Sequence, residues 1–168
     1  ATCVEMAAAK HKNVIVSVIQ GNHDRDAYLS ILYALRERYR DNPRIEVQRK
    51  GGEFFVMEWG SVMLASHHGD KAKWSQLKDV WSDQFADQWA ESKMYRLIAT
   101  AHYHHEKVQD LIGATARQFR TIHRPNRWAR TLGLFSRDTL TALTVHKEAG
   151  QTDETLSQIK PVFLGKEQ

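Results

Sequence analysis

Asn13-Val14-Ile15-Val16-Ser17-Val18-Ile19-Gln20-Gly21-Asn22-His23-Asp24 is the stretch on which the reading of this chain turns. A run of β-branched and aliphatic residues stops abruptly, and a turn made of Gly, Asn, His and Asp takes over. The same unit recurs twice further on. Ser61-Val62-Met63-Leu64-Ala65-Ser66 runs into His67-His68-Gly69-Asp70, and Tyr95-Arg96-Leu97-Ile98-Ala99-Thr100-Ala101 runs into His102-Tyr103-His104-His105. Short apolar runs of this kind read as strands buried on both faces. Strands of one layer end in loops along one edge, and three such loops can pool nitrogen and oxygen ligands around metal ions. The expectation is an α/β protein with a metal site at its strand ends.

Size and composition narrow the class. A chain of 168 residues with 42% hydrophobic and 26% charged residues is long enough for one sizeable core and has the balance of an ordinary globular protein. The single cysteine, Cys3, rules out an internal disulfide. It has no His beside it in sequence and reads as an inert packing thiol. No apolar run approaches the length of a membrane span, and no signal-peptide pattern precedes the first strand, so a cytoplasmic location is expected. Nucleotide-binding glycine loops and the Gly-x-Ser-x-Gly elbow are absent, which removes the main support for kinase, dehydrogenase and α/β-hydrolase chemistry.

Between the clusters the pattern alternates between periods. Thr2 to Lys10 is helix-like. Tyr28, Ile31, Leu32, Leu35 and Tyr39 fall at helical spacing and stop at Asp41-Asn42-Pro43. Ile45 to Arg49, Phe54 to Trp59 and Ser61 to Ser66 read as three consecutive strands, expected to form one meander. Trp74, Leu77, Trp81, Phe85 and Trp89 form a second helical stripe, which reads as core packing. Ala114 to Arg120, Thr139 to His146 and Thr155 to Ile159 read as further strands.

The net charge is +4, unevenly placed. Arg117, Arg120, Arg124, Arg127 and Arg130 fall in one stretch with His123 and Trp128 and no acidic residue. Arginine interleaved with an aromatic suits phosphates and stacked bases, with Arg124 and Arg127 as candidate substrate contacts. A solvated basic loop is the alternative reading of the same residues.

The ordered combination of Gly21-Asn22-His23-Asp24, His68-Gly69 and His102-Tyr103-His104 resembles the calcineurin-like metallophosphoesterases, in which Gly-Asn-His-Asp/Glu, a His before Gly, and Gly-His-x-His follow one another. The resemblance covers roughly Val14 to the C-terminus. Ala101 stands where that family usually has Gly, an exchange that needs only a negative φ there. The family's two upstream motifs, Asp-x-His and Gly-Asp-x-x-Asp, are missing. The resemblance therefore implies the C-terminal portion of one metallophosphoesterase domain over 1–168, with two packed mixed sheets flanked by helices and incomplete at its N-terminus.

By that resemblance, Asn22, His68 and His102 bind one divalent ion and His104 binds a second. Manganese is the metal it favours, and iron, zinc or nickel also suit the ligand set. His23 is the catalytic residue, a general acid or a phosphate-positioning group without a metal bond. Asp24 is expected to cap the following helix. His67 and His105 are expected to be exposed, and His11, His123 and His146 to be solvated or hydrogen-bonded without a metal role. The implied activity is hydrolysis of a phosphomonoester or phosphodiester, including a nuclease or nucleotide phosphatase, by a hydroxide held between two ions about 3.5–4 Å apart. A second reading is a catalytically inactive module that binds nucleic acid or a protein partner. A third has an upstream segment or a second chain completing the site.

Overall fold

The computed structural model describes residues 2–49, 52–122, 131 and 139–158. Its first unit is a βαβ crossover. β1 (Val14–Val16) leads through α2 (Ala27–Arg38) to β2 (Ile45–Val47), which pairs with β1 in parallel, and α1 (Thr2–Lys10) precedes them. The helical stripe of α2 explains the packing: Leu32 and Tyr39 are buried against Ile45 and Val47, with Val14, Val16 and Leu35 around them. The strand at Asn13 to Ile19 is thus shorter than its apolar run.

The expected meander is not formed. β3 (Phe54–Trp59) and β4 (Val62–His67) make an antiparallel hairpin, but β2 belongs to the pair with β1. Period-two alternation identifies strands and not their partners. The helix between β1 and β2 supplies the crossover a parallel pair needs, and this outweighs adjacency in sequence. A single parallel bridge, Ile19 to Gly52, joins the two regions.

The main sheet has five strands in the order β3-β4-β5-β7-β6, with β5 at Tyr95–Thr100, β6 at Lys107–Leu111 and β7 at Ala114–Gln118. β4, β5 and β7 run parallel at its centre, and the outer strands are antiparallel. The fold is therefore mixed α/β. The chain crosses from β4 to β5 through α3 (Trp74–Gln84) and α4 (Ala86–Glu91). The aromatic stripe is core, as its spacing implies. Leu77 and Trp81 are fully buried with Met63, Ala65, Ile98 and Ala116, and Trp74, Phe85 and Trp89 pack around them.

β6 carries no apolar alternation and is exposed along most of its length, so the sequence gives no strand signal there. Its Lys and Asp suit an edge strand that must not pair further. A two-stranded hairpin of β8 (Thr139–His146) and β9 (Gly150–Gln158) completes the described fold. β9 begins five residues before the expected Thr155, and the expected end at Ile159 lies outside the described residues. Cys3 is exposed, contrary to its reading as a packing thiol. Among the described residues no helix is long and apolar enough to cross a membrane.

The hairpin is tied to the main sheet by an ion-pair group. Arg117 on β7 is buried, and its guanidinium donates to Glu154 on β9 at 2.8 Å and to Glu106 at 2.5 Å. The two carboxylates satisfy the charge that burial would otherwise leave uncompensated. Arg117 also holds the Glu154 carboxyl below the usual carboxylate range, chiefly through the hydrogen bond. A carboxylate with a depressed folded pKa stabilises the protein above its unfolded value, near 4.3, and that contribution disappears as pH falls through the folded value. Glu154→Gln is expected to lower stability at neutral pH by roughly 1.5 kcal/mol, the low end for a hydrogen bond to a charged group. Urea denaturation as a function of pH should show a shallower acid limb in the variant than in the parent.

Candidate metal centre

The three clusters meet at one place. β4 and β5 are parallel neighbours in register Ser66 to Ala99, so the residues that follow them leave the sheet side by side. The two loops are joined by the Ala101 N–H, which donates to the His68 carbonyl at 3.0 Å. The turn after β1 closes on itself, because the Gly21 N–H donates to Asp24 Oδ1 at 2.7 Å. This replaces the helix-capping role expected of Asp24: the residue at the α2 N-cap is Asp26, and it makes no side-chain cap bond. The closed turn aims Asn22 inward.

Asn22 Oδ1 lies 3.0 Å from His68 Nε2, and His102 Nδ1 lies 3.2 Å from the same nitrogen. The two imidazoles meet edge to face, with centroids 5.1 Å apart. Hydrogen bonding explains this knot poorly. One ring nitrogen faces both an amide oxygen, which only accepts, and a second ring nitrogen, and a single proton serves at most one of those contacts well. A cation held between the three atoms would satisfy all of them. Ligand atoms each about 2.1 Å from one ion, subtending about 90–110°, stand about 3.0–3.4 Å from each other. The 3.0 and 3.2 Å edges of the cluster fall in that range, and two imidazoles with an amide oxygen form a donor set for a divalent transition metal. Among the described residues no three His, Cys, Asp or Glu side chains gather in the same way, so the set depends on Asn22.

Backbone strain marks the same loop. His102 and His104 adopt φ of +66° and +62°, the left-handed region that non-glycine residues rarely enter. Ala101, beside them, is not among the positive-φ residues, so its side chain meets no left-handed strain. Burial, then the neighbouring His68, holds the His102 imidazole below its ordinary range, and the Asp70 carboxylate opposes them. His23 is exposed in its turn, near enough that its charge also disfavours protonation of His102. His104 is exposed on the same loop.

His67 departs from expectation. It is 5% exposed, its ring rests on Phe54 at 4.9 Å, and its Nδ1 accepts the Gly69 N–H at 2.9 Å. Burial pushes the pKa of this imidazole down, and the bond it accepts from the Gly69 N–H fixes the turn that presents His68. The signal was available, since residue 67 shares the inward parity of Met63 and Ala65 on β4. Asp70, the last residue of the second cluster, stands where its charge favours protonation of both His67 and His102 against their burial. His105 is exposed, as expected.

Gly69 sits at φ +97°, and a Cβ there would stand 3.1 Å from Thr100 Cβ. Gly69→Ala is expected to cost about 1–2 kcal/mol for the left-handed backbone alone. Thermal unfolding measures that loss, and metal titration of the folded variant should show weakened binding because His68 is displaced.

The basic stretch is divided by the structure. Arg117 is consumed by Glu106 and Glu154, and Arg120 lies 3.2 Å from Glu106, so the absence of acidic residues in sequence does not carry into space. Arg124, Arg127, His123, Trp128 and Arg130 lie outside the described residues.

Comparison with known proteins adds little. No family model and no curated protein matches this chain. A solved structure of a conserved uncharacterized protein from Streptococcus pneumoniae TIGR4, described as a predicted phosphoesterase, is similar at 15% identity and a TM-score of 0.33, over 87% of this chain and 97% of that one. A likeness at that level assigns no activity.

Proposed function

We propose that this chain carries part of the active site of a metal-dependent phosphoesterase of the calcineurin-like type. The convergence of Asn22 Oδ1, His68 Nε2 and His102 Nδ1 within 3.0–3.2 Å along adjoining edges carries this reading. Those three side chains hold one divalent ion, and His104 contributes to a second, with manganese favoured over iron, zinc or nickel. When bound, such ions supply a nucleophile at neutral pH and neutralise the charge that grows on a phosphoryl group. The substrate class is a phosphomonoester or phosphodiester, nucleic acid or nucleotide included.

The chain's own groups divide the remaining work. His67 holds the His68 turn from behind through the Gly69 N–H. Asp24 locks the turn that aims Asn22 and leaves His23 facing solvent, where an imidazole can give a proton to the leaving oxygen. Further carboxylate ligands for the second ion come from another segment, in cis or from a second chain. β1 has β2 as its partner on one side, and among the described residues its other edge carries no strand.

Hydrolysis of bis(p-nitrophenyl) phosphate and p-nitrophenyl phosphate tests the proposal, with and without manganese. The 168-residue chain alone should be nearly inactive, and a segment supplying an Asp-x-His and a Gly-Asp-x-x-Asp motif should restore metal-dependent turnover. Turnover equal in EDTA and in manganese would overturn the metal reading.

A further inference from the structure

A second site lies on α2 and β2. An open cleft of 720 Å³ there is lined by Tyr33, Arg36, Glu37, Arg40, Glu46 and Arg49, among other residues. Its cations differ in what they face. Arg40 is paired with Glu37. Arg36 and Arg49 meet no carboxylate at ion-pair distance among the described residues, and the Arg36 guanidinium donates to the Arg49 carbonyl at 3.1 Å, which draws the two side chains' bases together. Glu46 is the acidic group in this lining that has no ion-pair partner at that distance among the described residues. Tyr33 is 60% exposed, and the Arg36 guanidinium lies 6.0 Å from its ring centroid.

An exposed aromatic face beside uncompensated guanidinium groups fits a phosphate with a planar base attached. Position favours a strand over a free nucleotide. β2 is parallel to β1, so Arg49, just past the end of β2, lies toward the same end of the small sheet as the chain that runs on from β1 to Gly21 and Asn22. The chain that follows returns to the same edge, where the Gln20 N–H donates to the Gly52 carbonyl at 3.1 Å. A polyanion that reaches Arg49 is therefore at the end of the small sheet from which the chain runs on to Asn22.

We infer that the α2/β2 cleft binds single-stranded nucleic acid, with Arg36 and Arg49 on phosphates and Tyr33 stacked on a base. This deepens the phosphoesterase reading by naming a substrate class, and it is tested without catalysis. Fluorescence anisotropy of a labelled oligothymidylate of about 12 nucleotides, in EDTA, measures binding with neither hydrolysis nor a bound cation contributing. Arg36→Gln with Arg49→Gln should reduce the magnitude of the log–log salt slope by about 1.4, two contacts at about 0.7 each for a single strand. Tyr33→Ala should weaken binding about tenfold. Glu46→Gln should tighten it, a gain that misfolding does not produce. Failure of these variants to move the affinity or slope overturns the inference, whatever the activity assays show. Displacement of the oligonucleotide by dTMP at equal concentration would likewise overturn it, because the cleft would then prefer a mononucleotide.

Discussion

His68→Ala should weaken manganese binding by more than about 100-fold, measured by calorimetric titration of the folded variant. His68 Nε2 is the nitrogen that both Asn22 Oδ1 and His102 Nδ1 approach, so its removal takes away a ligand and the centre of the donor set. Changes to groups that only orient a ligand commonly cost 10–100-fold, and loss of a direct ligand exceeds that. His102→Ala should match it. His146→Ala serves as the control: that imidazole is exposed at the end of β8, where its Nδ1 accepts the Glu148 N–H, and its loss should leave the titration unchanged. Equal loss in all three variants would mean that binding follows the number of histidines and not the cluster.

Turnover should respond to His23 in the opposite way. In the form of the protein that hydrolyses substrate, His23→Ala should lower kcat by about 10²–10⁴-fold, the range of general acid–base groups, while bound metal stays as in the parent. The leaving group sharpens the test. A proton donor matters most when the departing oxygen is strongly basic, so the defect should be large with an alkyl phosphodiester and small with a p-nitrophenyl ester. Metal lost in parallel with activity would make His23 a ligand. An equal defect on both esters would leave it a phosphate-positioning group.

What the sequence disclosed follows from which forces are local. Stripes of apolar residues at helical spacing found α2 and the α3–α4 segment because each helix buries one face, and β4 and β5 stood out because strands covered on both faces carry unbroken apolar runs. The pairing of β1 with β2 was hidden, since it depends on where a helix packs and not on the strands' own residues. β6 was hidden for another reason: its exposed side chains answer to no core, and its hydrogen bonds to β7 alone define it.

The site divides in the same manner. The convergence of Asn22, His68 and His102 was legible because each closely follows an apolar run; β4 and β5 are parallel neighbours, and the Asn22 turn meets them from the separate β1–β2 pair. The burial of His67 runs against the usual exposure of a polar residue beside a ligand, and only its parity on β4, shared with Met63 and Ala65, points it to the core. The basic stretch misled in the other direction. Glu106 and Glu154 lie outside it in sequence and neutralise Arg117 in space, while Arg36 and Arg49, which meet no carboxylate at ion-pair distance among the described residues, stand on α2 and just past β2, where acidic residues interrupt the basic ones in sequence.

Anomalous diffraction from crystals grown with manganese, recorded on both sides of the metal's absorption edge, tests the central claim most directly. The account predicts an anomalous peak within about 2.2 Å of His68 Nε2, His102 Nδ1 and Asn22 Oδ1 at once. A peak elsewhere on the molecule, or none at a manganese concentration that saturates the titration, would contradict it.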